Sequence, residues 1–242
     1  MKFLTRLLIG GAIAASCASS AHADLIKVAM TVDNSYALFT GNATSATTFI
    51  GTDGSWPSVE TYNFNLSSDA YLYVVTASDK NVAQGFLGQF ENQTQGFKFY
   101  SQDPQWQVMA TGLGAAAPYS GSAADLALLT QEIQDANAGG NLSNGWASFT
   151  AGANNGSAPW GLMAGIDAAA QWVWYAGGNC NQANPTSGGC DAGEWLVFRI
   201  AVAATPDNPN PDPNNTVPEP ASLALLGLGL VGLAATRRKS KQ

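Results

Sequence analysis

The strongest constraint on the fold of this chain is a two-residue period. Ile26, Val28, Met30 and Val32 alternate with Lys27, Ala29 and Thr31, as in a strand with one buried face. Short apolar or alternating runs return at Tyr36 to Phe39, Thr61 to Leu66, Tyr71 to Thr76, Phe97 to Tyr100, Gln171 to Tyr175 and Trp195 to Val202. Between them lie clusters that favour turns: Gly41-Asn42, Asp53-Gly54 and Gly177-Gly178-Asn179. Many short strands separated by such signals predict an all-β body, a jelly-roll-like β-sandwich. One helix is expected, over residues 122–137, packed on an edge or end of the sheets. Ser122 and Asp125 have the spacing of a capping box, Leu126, Leu129 and Ile133 share a face, and Gly139-Gly140 supplies a stop.

Charge separates this body from its ends. Between Asp24 and Thr216 there are 16 acids against four bases, Lys27, Lys80, Lys98 and Arg199. Lys2 and Arg6 sit at one end, and Arg237, Arg238, Lys239 and Lys241 at the other. A body so poor in cations cannot neutralise a phosphate backbone, which excludes nucleic acid as a partner.

Residues 1–23 read as a secretory signal peptide: Lys2 and Arg6, an apolar stretch from Leu7 to Ala15, then Ala21-His22-Ala23 as the small-residue cleavage site, so that the mature chain begins at Asp24. A competing reading takes Cys17, after Ala14-Ala15-Ser16, as a lipoprotein cleavage site. The β-sandwich domain is expected over 24–204. Residues 205–217 are a linker in which Pro206, Pro209, Pro211 and Pro213 favour an extended stalk.

The last segment, 218–242, is the most specific. Val217, Pro218, Glu219 and Pro220 precede the apolar run Ala221 to Ala235, and Arg237, Arg238 and Lys239 follow it. This order resembles the PEP-CTERM sorting signal of Gram-negative bacteria, whose tail is recognised by the membrane-embedded enzyme exosortase. The resemblance implies an exported protein, held transiently at the inner membrane after signal peptidase has acted, then processed by exosortase and delivered to the cell surface or exopolysaccharide matrix. The basic cluster would stay cytoplasmic. The apolar run is short of the ~20 residues of a comfortable span, which suits a temporary transmembrane helix. Its Gly227 to Gly232 stretch matches G-x-G-x-x-G but follows no strand, so a nucleotide-binding reading fails.

The body has a second resemblance. Asp33 to Gly41, Trp56, Glu60 to Phe64, Tyr71 to Asp79, Val82 to Phe90, Trp106 to Val108, Pro159 to Gly161, Ala170 to Trp174 and Val197 to Arg199 are similar in order to the landmarks of galactose-binding-domain-like jelly rolls. The stretch from 110 to 145 departs from that pattern. The resemblance implies a carbohydrate-binding or structural module, often with a structural calcium ion.

The expected chemistry is that of a binding or structural protein rather than an enzyme. The one histidine, His22, lies in the signal peptide, so the mature body offers no Ser-His-Asp centre and no His-ligated zinc. Glu60, Glu91, Glu132 and Glu194 are available for glycoside hydrolysis, but no motif sets two of them at a catalytic separation. Trp56, Trp160, Trp174 and Tyr175 stand beside Gly- or Pro-rich turns and are the candidate sugar-stacking rings. Asp33, Asn34, Asp191 and Glu194, with Asp53 and Asp79, could offer oxygens to a structural Ca²⁺. Cys180 and Cys190 are expected to form a disulfide in the oxidising exterior, with their bridged loop projecting from one end of the sandwich.

Overall fold

The structure is a computed structural model that describes residues 23–67, 70–79, 82–114, 119–177, 180, 184–187, 189–191 and 193–202. The expected signal peptide up to residue 22, the linker and the tail lie outside these residues. Among the described residues the chain forms eleven strands and one helix. In order these are β1 (Ala23–Asp33), β2 (Ser35–Asn42), β3 (Ser45–Asp53), β4 (Glu60–Ser67), β5 (Tyr71–Ala77), β6 (Gly85–Asn92), β7 (Phe97–Tyr100), β8 (Gln107–Gly114), α1 (Ala123–Asn137), β9 (Thr150–Asn154), β10 (Gln171–Trp174) and β11 (Glu194–Ala201).

Two antiparallel sheets face each other. The first runs β4-β1-β6-β10-β9, with β7 also paired to β6, and the second runs β3-β2-β5-β11-β8. Most connections cross from one sheet to the other, which gives the sandwich its jelly-roll-like character. The alternation in β1 sends Ile26, Val28, Met30 and Val32 into the space between the sheets. There they meet Tyr36 and Leu38 of β2, Leu72 and Val74 of β5, and Leu196 and Phe198 of β11. Phe86 sits among Trp106 and Phe198, with ring centroids 5.5 and 5.4 Å away.

Both outer faces are covered as well. On the second sheet, Ala37, Phe39, Tyr73, Val75, Trp195 and Val197 form a cluster with Leu129, Ile133 and Ala136 of α1. The helix therefore lies over a sheet face beside the β3 edge, and its capping box closes as the sequence indicates: the Asp125 N–H donates to Ser122 Oγ at 3.2 Å. On the first sheet, Ala29, Leu87 and Trp172 are covered by Trp160, Met163, Ile166 and Ala170 from the β9–β10 connection. Strands β5, β6 and β11 are thus buried on both sides, and their sequences run apolar instead of alternating.

Cys180 and Cys190 form a disulfide with Cα atoms 4.4 Å apart. The strands flanking the loop, β10 and β11, belong to opposite sheets and meet across the core, Trp174 against Phe198 at 6.2 Å between centroids. The described part of the loop does not project from the end of the sandwich as expected; it folds back on it. The buried Gln84 side chain donates to the Pro185 carbonyl and accepts from the Gly189 N–H at 3.2 Å, while the Gln84 backbone N–H donates to the Thr186 carbonyl at 3.1 Å. Cys190 itself belongs to the inner core. A buried amide bonded to the loop inside the bridge, at Pro185 and Gly189, outweighs the freedom that the glycines would give.

Candidate functional site

The period of β1 also determines what the outer face of the first sheet carries. With Val28, Met30 and Val32 turned inward, Ala29, Thr31 and Asp33 point outward. Thr31 Oγ1 donates to the Trp56 carbonyl at 2.7 Å, which holds the β3–β4 loop against the sheet. That loop is organised by Asp53, whose Oδ2 accepts from the Ser55 N–H at 3.0 Å and Ser58 Oγ at 3.3 Å. Trp56 is half-buried beside the resulting turn.

Opposite it stands Trp160, carried by the connection of residues 155–170. The side chain of Asn155, buried and saturated with hydrogen bonds, shapes this connection: Nδ2 donates to the carbonyls of Met163 (3.1 Å) and Ile166 (2.7 Å), and Oδ1 accepts from the Met163 N–H (2.8 Å). The Trp160 ring stacks on Trp172 of β10 at 4.1 Å and 17°. Its Nε1 donates to Asp33 Oδ2 at 2.7 Å. Gly85 makes the close approach possible, because a Cβ there would lie 2.7 Å from Trp172 Cε3 and 3.5 Å from the Trp160 ring.

Asn34, joined to Asp33 by a cis peptide, links the two sheets at this end. Its N–H donates to the Ala77 carbonyl at 3.0 Å, and its Oδ1 accepts from the Asp79 N–H at 2.8 Å. The result is a cleft of about 250 Å³ lined by Asp33, Asn34, Trp56, Asp79, Val82, Ala83, Pro159 and Trp160. Val82, 81% exposed, gives it an apolar lip. Burial pushes the Asp33 carboxyl above the ordinary aspartate range; the Trp160 N–H opposes that rise, and the neighbouring Asp79 charge adds to it.

Five of the residues singled out in the sequence thus meet in one place: Trp56, Trp160, Asp33, Asn34 and Asp79. Two candidate rings do not. Trp174 is fully buried in the inner core, where its Nε1 donates to the Cys190 carbonyl at 2.8 Å, and Tyr175 is 6% exposed in the same core. Both lie close to a glycine-rich stretch, which made them resemble surface rings, yet their side chains are part of the packing between the sheets. Asp191 and Glu194 are engaged away from the cleft, at the start of β11. Glu194 Oε2 accepts from the Gly112 N–H at 2.9 Å, and burial raises its carboxyl. Among the described residues, no group of three or more His, Cys, Asp or Glu side chains is placed to hold a metal ion. Val82 and Ala83 open a segment similar to a jelly-roll landmark but were not singled out as lining residues.

Among the described residues no helix is long and apolar enough to cross a membrane; the apolar run 221–235 lies outside them. No curated protein and no solved structure matches the chain. Residues 216–239 match the PEP-CTERM protein-sorting motif, which covers the Pro-Glu-Pro triplet, the apolar run and the basic cluster. The chain therefore carries a PEP-CTERM sorting motif, which supports an exported protein processed by exosortase.

Proposed function

We propose that the sandwich is a non-catalytic adhesive domain that acts at the cell surface or in the exopolysaccharide matrix, and that it holds a sugar unit of a polysaccharide in the Trp56–Trp160 cleft. The observation that carries this reading is the convergence of two indoles with Asp33, Asn34 and Asp79 around one opening. A sugar ring offers an apolar face to an indole and hydroxyl donors to carboxylate and amide oxygens, and this lining supplies both kinds of partner. The small volume suits a single ring rather than a long chain of residues.

A binding role also accords with the placement of the glutamates. Glu60, Glu91, Glu132 and Glu194 are spread over β4, β6, α1 and β11, and none of them lines the cleft. The test is a glycan array with the exported protein and its Trp56→Ala variant. Trp56 is half-buried on the rim, so its removal should spare the fold and lower sugar binding about tenfold or more, the scale of losing one stacking platform of ~1–3 kcal/mol. Equal binding by both proteins would refute the site. Intact-mass analysis of the surface form tests the sorting: the segment after Pro220 should be absent.

A further inference from the structure

We infer that the outer face of the second sheet carries a separate carboxylate-binding site, centred on Arg199, that takes a uronic acid unit of an acidic polysaccharide. This site shares no residue with the Trp56–Trp160 cleft and goes beyond the reading given for it.

The period of β11 places the guanidinium. Phe198 and Ile200 enter the inner core, so Val197 and Arg199 turn outward. Gln107 of β8 stands opposite Arg199 on one side and Tyr73 of β5 on the other, with Tyr71 diagonal to it on the same face. The guanidinium carbon lies 3.7 Å from the centre of the Trp146 ring and 5.5 Å from that of Tyr71. Its Nε donates to Gln107 Oε1 and its Nη1 to Asn137 Oδ1, both at 2.9 Å. The same Asn137 oxygen accepts from Trp146 Nε1 at 2.8 Å, which holds the indole under the cation.

What this guanidinium lacks is an anion. Lys98 Nζ lies 2.9 Å from Asp167, and Lys27 Nζ lies 3.9 Å from Glu91. Arg199 is half-buried, yet its acceptors are two neutral amides and the Tyr73 hydroxyl, and among the described residues no carboxylate pairs with it. Burial draws it below the ordinary arginine range; Tyr73 and Tyr71 oppose that shift, and no carboxylate does. In a body of 16 acids and four bases, this is a cation whose desolvation is left uncompensated.

A carboxylate answers that need, since its two oxygens match the parallel N–H groups of a guanidinium. Beside it, the exposed Gln107 amide offers donors and the half-buried Tyr71 offers a ring and a hydroxyl. These suit the hydroxyls and the apolar face of a pyranose. A neutral sugar leaves the charge unanswered, and an acidic peptide makes no use of the aromatic face. At about 0.15 M salt, repulsion from the rest of the acidic body is screened beyond about 8 Å.

The experiment is calorimetric titration of the full-length chain, in mild detergent at that salt, with short oligomers of galacturonic acid, of galactose and of glutamate. The parent is compared with Arg199→Gln and Gln107→Glu, with Asn63→Asp at an exposed position of β4 on the first sheet, and with Trp56→Ala. Gln107→Glu sets a carboxylate where the Gln107 oxygen now accepts from Arg199, so it should occupy the guanidinium while sparing the fold. Circular dichroism confirms folding of each variant. The expected result is galacturonate binding at least about tenfold tighter than galactose or glutamate, lowered at least about tenfold by Arg199→Gln and Gln107→Glu, and unchanged in Asn63→Asp and Trp56→Ala. No galacturonate binding by the parent, or none of that loss in Gln107→Glu, would overturn the site and leave the cleft to its own test. A loss in Trp56→Ala instead would move the uronate to the cleft. An equal loss in Asn63→Asp would trace the effect to overall charge and overturn the assignment to Arg199. Equally tight galactose binding would overturn the role of the carboxylate, and equally tight glutamate binding would overturn the sugar.

Discussion

Trp160→Phe isolates the hydrogen bond at the base of the cleft. A phenyl ring keeps most of the stack on Trp172 and removes the N–H that Asp33 accepts at 2.7 Å. A hydrogen bond to a charged group is worth about 1.5–3 kcal/mol, and the smaller ring forfeits a further ~1–2 kcal/mol of buried surface and packing. At neutral pH the variant should therefore lose about 2.5–5 kcal/mol of unfolding free energy. The loss should depend on pH, with a definite sign. The Asp33 carboxyl is raised above its ordinary 3.8 in the folded protein, so the folded state holds its proton more tightly than the unfolded chain. Its contribution to stability is fully present below the unfolded value and is lost as pH rises through the folded value. The Trp160 N–H limits that rise, so removing it moves the folded value higher still and deepens the loss at neutral pH. Below about pH 2.5 the carboxyl is neutral in both states, and the cost should shrink to about 1.5–3.5 kcal/mol, the ring and a neutral hydrogen bond. Urea unfolding followed by far-ultraviolet circular dichroism at the two pH values measures both losses, and the titration of every other carboxyl cancels between parent and variant. A loss that is the same at both pH values, or larger in acid, would refute the charge on Asp33 and with it the electrostatic picture of the cleft.

Gly85→Ala should force the Trp160–Trp172 stack off β6, since its Cβ would stand 2.7 Å from a buried indole atom. A stability loss of about 1–3 kcal/mol should come with a changed near-ultraviolet spectrum, and an unchanged spectrum would contradict the proposed contact. Replacing Cys180 and Cys190 together with Ser should cost about 2–3 kcal/mol of unfolding free energy while the sheets persist, because the Gln84 hydrogen bonds to Pro185 and Gly189 still hold the loop itself. Complete loss of the far-ultraviolet β signal under ordinary conditions would show that the bridge holds more than its loop.

How much of this was legible depended on how many faces of each strand are buried. In β4 and at the start of β1 the outer face meets solvent, and where β1 is covered its outward residues are the small or polar Ala29 and Thr31, so Ile26 to Val32 and Tyr62 to Leu66 carry an open two-residue period. In β6 both faces are covered: Phe86 and Phe90 enter the inner core, Leu87 the outer cluster, and Gly85 and Gly88 fill the gaps beneath aromatic rings. No alternation survives there, although β6 is central in its sheet. Strand β3 was hidden for the opposite reason. It is an edge strand rich in Thr, and its register on β2 shifts twice. Strands β8 and β9 carry Gly112, Gly114 and Gly152, which read as turn residues. The pairing of β10 and β11 with different sheets was likewise not legible, because periodicity reports which face a residue takes and says nothing of the neighbouring strand. The rings divide in the same way. A tryptophan near a turn has one signature in sequence and two fates in space: Trp160 reaches a carboxylate at the surface cleft, whereas Trp174 finds a backbone carbonyl inside.

The two outer layers show why the cleft lies where it does. An unsupported sheet face must be covered, and each is covered by the connection that lies nearest to it in the chain. On the second sheet that cover is α1, whose Leu129, Ile133 and Ala136 bury the face beneath it. On the first sheet the cover is irregular, a sixteen-residue connection, 155–170, with its backbone bonded to the buried Asn155 amide. An irregular cover cannot close over the end of β1, where Asp33 turns outward and Asn34 crosses to the other sheet. The gap that remains is walled by the covering layer itself, through Trp160, and by the loop that Thr31 holds in place, through Trp56. Packing and recognition therefore share residues here. A substitution that loosens the outer layer should weaken binding together with stability, while one confined to the rim, at Trp56 or Asp79, should separate the two.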